Sequence, residues 1–281
     1  MIQPDPELIQ PDAFPGGKVL EVGEWSIEKH HLLRRYIDAS RAARRKWPRR
    51  GFIDLFCGPG RTRIKGTNIE TDGGAVVAWR QSKLDSVEFT DIIIGDIDDD
   101  SLRSCEKRLL PLDAPVNALL GPAEQAVDEA IKLLPARGLH LAYLDPFNME
   151  HLPFTVIQKL ATFRNIDIVV HFSVMDLQRE IELDFLRDAS RFESFAPGWK
   201  KHVDVSGLTK QGARIAFVQY WLSLVGSLGF RHSKEMPLMT NSKNGPLYRM
   251  MFLMRHPLAE KLWDEIARGQ KPQQDLFGLT E

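Results

Sequence analysis

Asp54 closes a short apolar run and is followed at alternate positions by Phe56, Gly58 and Gly60, within Gly51-Phe-Ile-Asp-Leu-Phe-Cys-Gly-Pro-Gly60. A strand that runs into an acid and then into a glycine turn is suited to holding a ligand. Glycines let the backbone approach a bound group closely and take up conformations that other residues avoid. A carboxylate at the strand end can meet a cationic amine. Asp96 closes a second run, Ile92-Ile-Ile-Gly-Asp96, where an acid can accept hydrogen bonds from ribose hydroxyls while Ile97 lies against an adenine. Its distance from the glycine loop exceeds the usual ~20 residues, and residues 61–73 are expected to supply the excess as a loop insertion. A third acid opens Asp145-Pro-Phe-Asn148, and there Phe147 can stack on a flat ring. The simpler reading of each motif is a turn, with Asp98, Asp99 and Asp100 capping the next helix.

These residues need a framework. Phe52–Phe56, Thr90–Ile94, Val116–Leu120, Leu139–Leu144 and Ile166–Phe172 read as strands. Helical stretches near Gly74–Gln81, Ser101–Arg108, Glu124–Leu134 and Thr155–Phe163 separate them. That alternation predicts a mostly parallel sheet covered by helices. A helix over Gly212–Leu228 leads into two last strands, Phe230–Met236 and Tyr248–Met254, and a helix over Leu258–Arg268 closes the domain. The segment 176–210 breaks the rhythm and is a candidate insertion or lid. Ahead of the sheet, residues 1–23 read as an extended arm, and a helix is predicted from Ser26 to about Lys46. One face of that helix is basic, with Lys29, Arg34, Arg35, Arg41, Arg44, Arg45 and Lys46. Such a face, beside Tyr36 and Trp47, can track a phosphate backbone or can simply be solvated.

Composition narrows the classes. The chain has 281 residues, 43% hydrophobic and 27% charged, which suits one large globular domain. A net charge of −1 gives no global pull toward nucleic acid or anionic lipid, so such binding would need a local patch. The two cysteines, Cys57 and Cys105, form neither a zinc spacing nor a disulfide framework, and Cys57 lacks a paired base. The eight histidines form no ligand cluster; His30 and His31 fall on the basic helix and His171 in a buried strand. With no signal-like leader and no membrane-length apolar run, a cytoplasmic location with reduced thiols is expected.

The Asp54–Gly60 pattern resembles the first motif of Rossmann-like methyltransferases that use S-adenosyl-L-methionine (SAM). That resemblance assigns Asp54, Phe56, Cys57, Gly58, Pro59 and Gly60 to the methionine end of the cofactor, and Asp96 and Ile97 to its ribose and adenine. In Leu119-Leu-Gly-Pro-Ala-Glu124, Pro122 stands near the place of an adenine-reading acid or Asn, which leaves that contact to backbone around Ala123. Asp145, Pro146 and Phe147 resemble three positions of the D-P-P-Y motif of amino-methyltransferases, with Asn148 in place of the final aromatic. They would face the methyl acceptor, and an exocyclic base amine is one such acceptor. Arg179 would grip a phosphate or carboxylate there, or pair with Glu180 or Glu182.

Taken together, Trp25-Ser-Ile-Glu-Lys29 with Tyr36, Phe52–Arg61, Leu144–Phe147, Ile166–Phe172 with Arg179, Gly245–Tyr248 and Arg255-His-Pro257 resemble the three-Cys-motif partner family. The resemblance spans about residues 24–268 and rests on the order and spacing of the pieces. It implies an α/β protein with a Rossmann-like methyltransferase-type sheet, helices on both faces, a helical N-terminal extension over residues 1–50 and a SAM-binding domain over 51–281. It also implies a partner that resembles radical-SAM enzymes. Gly73-Gly74-Ala75 departs from the family's more frequent Gly-Ser-Pro turn. Two expectations follow. In one the chain is a SAM-dependent methyltransferase. In the other it is a non-catalytic module that recruits nucleic acid through Arg44, Arg45 and their neighbours. A nucleotide-dependent enzyme ranks last, because the loop lacks a Gly-Lys-Ser/Thr ending and Arg63 stands where a third glycine belongs.

Overall fold

Ile, Val, Leu and Phe fill the central strands because both faces of the sheet are covered, and strands buried on both sides read as continuous apolar runs. The computed structural model describes residues 9–185, 190–241 and 243–268. In chain order the elements are β1 (Leu20–Val22), α1 (Trp25–Arg44), β2 (Arg50–Asp54), β3 (Arg61–Ile64), β4 (Glu70–Asp72), α2 (Gly74–Leu84), β5 (Asp91–Asp96) and α3 (Asp99–Leu109). Then come β6 (Val116–Leu120), α4 (Ala123–Leu133), β7 (Leu139–Leu144), α5 (Phe154–Leu160), β8 (Ile166–Ser173), α6 (Val174–Phe185), α7 (Trp199–His202) and α8 (Lys210–Ser227). The last are β9 (Arg231–His232), β10 (Leu238–Thr240), β11 (Pro246–Met254) and α9 (Pro257–Arg268).

The main sheet runs β10-β11-β8-β7-β2-β5-β6, with β9 also pairing β11. β6, β5, β2, β7 and β8 are parallel, whereas β11 lies antiparallel to β8. This order, with an antiparallel strand next to the last, is that of a Rossmann-like methyltransferase-type sheet. The chain enters at the middle strand, β2, moves out through β5 and β6, then restarts on the other side at β7. The order therefore reverses between β2 and β7, and in such sheets the ligand crevice lies beyond the strand ends at that point. Asp54 and Asp145 follow those two strands.

Side chains alternate across the sheet. Ile53, Leu144, Ile168 and Phe172 pack under α4, α5, α6 and α8 around Trp221. Phe52, Ile92, Tyr143 and Phe252 pack under α1, α2, α3 and α9 around Trp263. Through Leu32, Leu33, Tyr36 and Ile37, α1 is part of that second layer.

Three expectations change. Residues 61–73 are not a loop: β3 and β4 form a hairpin, and β1 joins β3 to make a three-stranded sheet. The N-terminal helix begins at Trp25, and Ser26 is fully buried within it rather than capping it. Residues 176–210 begin inside α6, whose Val174, Leu177 and Ile181 belong to the core, and among the described residues α6, α7 and α8 follow one another with no strand between β8 and β9. The strand expected over Phe230–Met236 is interrupted. Of that stretch only β9 pairs with β11, and pairing resumes in β10 beyond Pro237, which has no N–H to donate. Residues 1–8 of the arm, 186–189 of the candidate insertion and 269–281 of the proposed domain lie outside the described residues. Among the described residues no helix is long and apolar enough to cross a membrane.

Candidate functional site

The turn after β2 is held by its own backbone. Gly58 and Gly60 adopt φ of 54° and 73°, the left-handed region that glycine enters without steric cost. Asp54 is 2% exposed, and its Oδ1 accepts the Phe56 N–H at 3.1 Å. Asp96, at the end of the neighbouring β5, accepts the Gly58 N–H at 2.9 Å on Oδ2 and the Asp98 N–H at 2.9 Å on Oδ1. The acid expected to hold a ribose thus also anchors the loop, and each carboxylate oxygen keeps a further acceptor direction. The Pro59 carbonyl accepts from buried Arg108 at 2.6 Å, and Asp12 of the arm grips Arg108 at 2.8 and 2.9 Å. Gly73 donates to the Gly60 carbonyl at 2.9 Å.

Burial pushes the Asp54 carboxyl up to about 8, and the nearby Asp145 and Asp96 carboxyls push the same way. A cationic group placed against it would reverse that balance. Space exists on the loop's outer side: a Cβ on Gly58 would meet nothing within 4 Å. At Gly74 a Cβ would come within 3.1 Å of Asp54 Oδ2, so the glycine there keeps that oxygen clear. Cys57 contributes backbone only, since its side chain lies in the core and burial beside Cys105 holds the thiol well above its usual value. Ile97 is 69% exposed beyond β5. Ala123 is buried as the first residue of α4, and the Gly121 N–H before it is tied to the Asp96 carbonyl at 3.0 Å.

Across the switch point, Asp145 is differently placed. Lys29 of α1 forms an ion pair with its Oδ2, and His171 Nδ1 of β8 lies 2.5 Å from its Oδ1. Burial raises this carboxyl, but His171 and Lys29 outweigh burial and hold it well below the carboxylate range. An incoming amine would therefore have to displace Lys29. Phe147 is 94% exposed and free to stack, while Pro146 is partly buried. Asn148 is used locally: its Oδ1 accepts the His151 N–H at 3.3 Å and caps a 3-10 turn. Met149 N–H is fixed by Asp176 Oδ2 of α6 at 3.1 Å. Arg179 is exposed in the second turn of α6, and the alternative pairing with Glu180 or Glu182 falls on side chains outside the described residues.

Sequence reasoning missed the polar cluster behind Asp145. Tyr143 of β7 meets the His171 ring edge-on at 4.9 Å, and Tyr248 of β11 stacks on it at 5.1 Å. Among the described residues Tyr143 OH, Tyr248 OH and both His171 ring nitrogens are buried without a hydrogen-bond partner, Nδ1 despite its 2.5 Å approach to Asp145 Oδ1, as are His30 Nδ1 and Ser26 Oγ of α1. Each such group typically costs about 1–3 kcal/mol if left dry. Burial pushes His30 down to about 3, with Lys29 beside it adding to that, and burial also keeps His171 below its ordinary 6.5. Both imidazoles are therefore neutral at pH 7. Two signals were present in the sequence: a histidine interrupting Ile166-Asp-Ile-Val-Val-His-Phe172, and Ser26 and His30 one helical turn apart on a face that continues to Leu33 and Ile37.

The basic face of α1 is also corrected. Arg44 is 3% exposed and is taken up by Asp85 at 2.7 Å and the Ile37 carbonyl at 2.9 Å, so it is not available to a phosphate. Lys29 is drawn inward by Asp145. Arg41 pairs with Asp38, Arg49 pairs with Asp91, and Arg35 donates to the Ile266 carbonyl at 3.0 Å. Arg45 and Lys46 remain exposed.

No family model matches the chain, and no curated protein matches it significantly. Among solved structures, protein LPL1258 from Legionella pneumophila is similar with a TM-score of 0.49 at 10% identity, over 82% of this chain and 88% of that one. A putative RNA methyltransferase, PH1948 from Pyrococcus horikoshii, gives 0.41 at 9% identity, over 85% and 91%. The plantazolicin methyltransferase BpumL, in complex with S-adenosylhomocysteine, gives 0.38 at 11%, over 81% and 84%. Likenesses this distant carry nothing about chemistry, and the fold assignment stands on the strand order itself.

Proposed function

We propose that this chain is a SAM-dependent methyltransferase acting beside a three-Cys-motif partner. The observation that carries the reading is the placement of two strand-end acids around a left-handed glycine turn at the switch point of a methyltransferase-type sheet. Asp54 would meet the cofactor's ammonium, because its buried carboxyl has no ion-pair partner among the described residues and Gly74 keeps Oδ2 clear. The Gly58–Gly60 backbone would lie along the methionine part. Asp96 would take the ribose hydroxyls on its remaining acceptor directions, with Ile97 and the backbone at Ala123 against the adenine. When bound, SAM supplies a methyl group on a sulfonium. The protein's part is alignment and electrostatic preorganisation, which provide most of the rate in such transfers. Phe147 would hold the acceptor, and its exposure supports that role. The partner rests on the family resemblance alone. A nucleic-acid role loses Arg44 and retains only exposed cations such as Arg45 and Lys46.

Calorimetric titration of the full chain with SAM, S-adenosylhomocysteine, NAD and ATP tests this reading. Micromolar binding of SAM or its product, weakened at least 100-fold by Asp54→Ala, is expected. Binding of NAD or ATP in preference to SAM, or SAM binding indifferent to Asp54→Ala, would overturn it. If the isolated chain binds none of the four, the titration repeated with the partner present decides the matter.

A further inference from the structure

We propose that His171 is the proton acceptor of this site, positioned by Asp145 and Lys29, and that the acceptor substrate is a hydroxylated aromatic ring rather than an amine. The inference rests on the methyltransferase reading and names the substrate class for it.

Asp145 has its two oxygens on two different partners, Lys29 on one and His171 Nδ1 on the other. A carboxylate can only accept, so an Nδ1 that lies 2.5 Å from Asp145 Oδ1 favours the neutral imidazole with its proton on Nδ1, although the two are not aligned as a hydrogen bond. Nε2 is then left as a lone-pair acceptor, with no hydrogen-bond partner among the described residues. Every group facing the ring fits that state. Tyr143 comes from β7 and Asp145 from just beyond it, Tyr248 from β11, and Lys29 and His30 from α1. Lys29 keeps Asp145 ionised, and an ionised Asp145 stabilises the imidazolium that forms when Nε2 takes a proton. Nε2, Tyr143 OH, Tyr248 OH, His30 Nδ1 and Ser26 Oγ are five buried polar atoms from four elements around one ion pair. Hydroxyls both donate and accept, so this set can hold ordered water that links Nε2 to the substrate side of Asp145.

The chemistry follows. An amine attacks through a free lone pair and needs no base beforehand, and here it would also have to evict Lys29. An aromatic hydroxyl becomes a strong nucleophile only as it loses its proton. The oxygen's electron pair forms the new oxygen–carbon bond, and the pair of the broken carbon–sulfur bond stays on sulfur. The hydroxyl proton passes through water to Nε2. Phe147, exposed two residues beyond Asp145, offers the face on which such a ring stacks.

The first test needs no substrate. In the full chain with 15N-labelled histidine, the His171 ring, identified by its loss in His171→Gln, should be neutral at pH 7 with its proton on Nδ1. Asp145→Asn and Lys29→Met should each shift that resonance, which identifies it again if His171→Gln folds poorly. A proton on Nε2, or a cationic ring at pH 7, would overturn the assignment. The second test gives the SAM-loaded chain catechol or 1,2-phenylenediamine and follows S-adenosylhomocysteine. Turnover of catechol should fall at least 30-fold in His171→Gln with SAM affinity unchanged, and its rise with pH should disappear. Turnover of the diamine that is indifferent to His171→Gln would overturn the proton acceptor. Turnover of neither ring would overturn the aromatic hydroxyl and leave the imidazole spectrum to judge His171. Loss of SAM binding itself would instead count against the cofactor reading.

Discussion

Asp54 and Asp145 follow adjacent strands of one sheet, yet their surroundings give them opposite charge states. Asp54 is buried among backbone groups and other acids, which pushes its carboxyl up to about 8. Asp145 is held well below its ordinary range because α1 and β8 bring Lys29 and His171 against it. The same residue type at neighbouring strand ends is thus neutral in one place and ionised in the other. The difference separates two roles. The carboxyl with no ion-pair partner among the described residues is ready for a cationic ligand, whereas the one already paired is free to orient a base.

Breaking the paired side should have the largest effect. Lys29→Met leaves a partly buried carboxylate facing only a neutral imidazole, and removing one partner of such a pair costs about 3–5 kcal/mol. Urea unfolding measures this, and an unchanged midpoint would mean that solvent screens the pair. Next come the two loop glycines. Gly60→Ala places a Cβ 3.1 Å from the Cys105 backbone in a left-handed conformation. It should lose about 1–2 kcal/mol from strain and about 1–3 kcal/mol from overpacking. Gly58→Ala meets nothing within 4 Å and should lose only the strain. Equal losses at both would show that contact with Cys105 is relieved by a small shift.

The gentlest test is pH. Asp54 has a folded value of about 8 against an ordinary 3.8, so the folded state keeps a proton that the unfolded state has lost. Its contribution is fully present below pH 3.8 and is lost as pH rises toward 8, at up to about 1.4 kcal/mol per pH unit. Asp54→Asn should remove that slope, so the variant gains on the parent as pH rises from 4 to 8 in denaturant titrations. A parent and variant with parallel profiles would place Asp54 in contact with water or a counter-charge.

Much of this architecture is legible along the chain. Strands β6 and β7 fall where the apolar runs place them, and α2, α3, α4, α8 and α9 agree within a few residues. Local pattern suffices there, because periodicity and glycine turns act over a few neighbours. The β3–β4 hairpin was missed because Arg61-Thr-Arg-Ile64 and Glu70-Thr-Asp72 are polar. What stabilises them is cross-strand pairing, such as Arg61 with Asp72 at 2.8 Å. The basic helix misled for a related reason. Its charges look solvated in one dimension, and only packing shows that Arg44 and Lys29 turn inward.

The sequence alone determined the strand-end acids, the glycine turn and the sheet class, since each depends on residues close together in the chain. Only the tertiary structure decided which acid is charged. Lys29 and Asp145 are 116 residues apart, and Tyr36 reaches Asp167 across 131. A carboxyl's ionisation is set by burial and by charges within a few ångströms, and folding brings those charges in from distant parts of the chain.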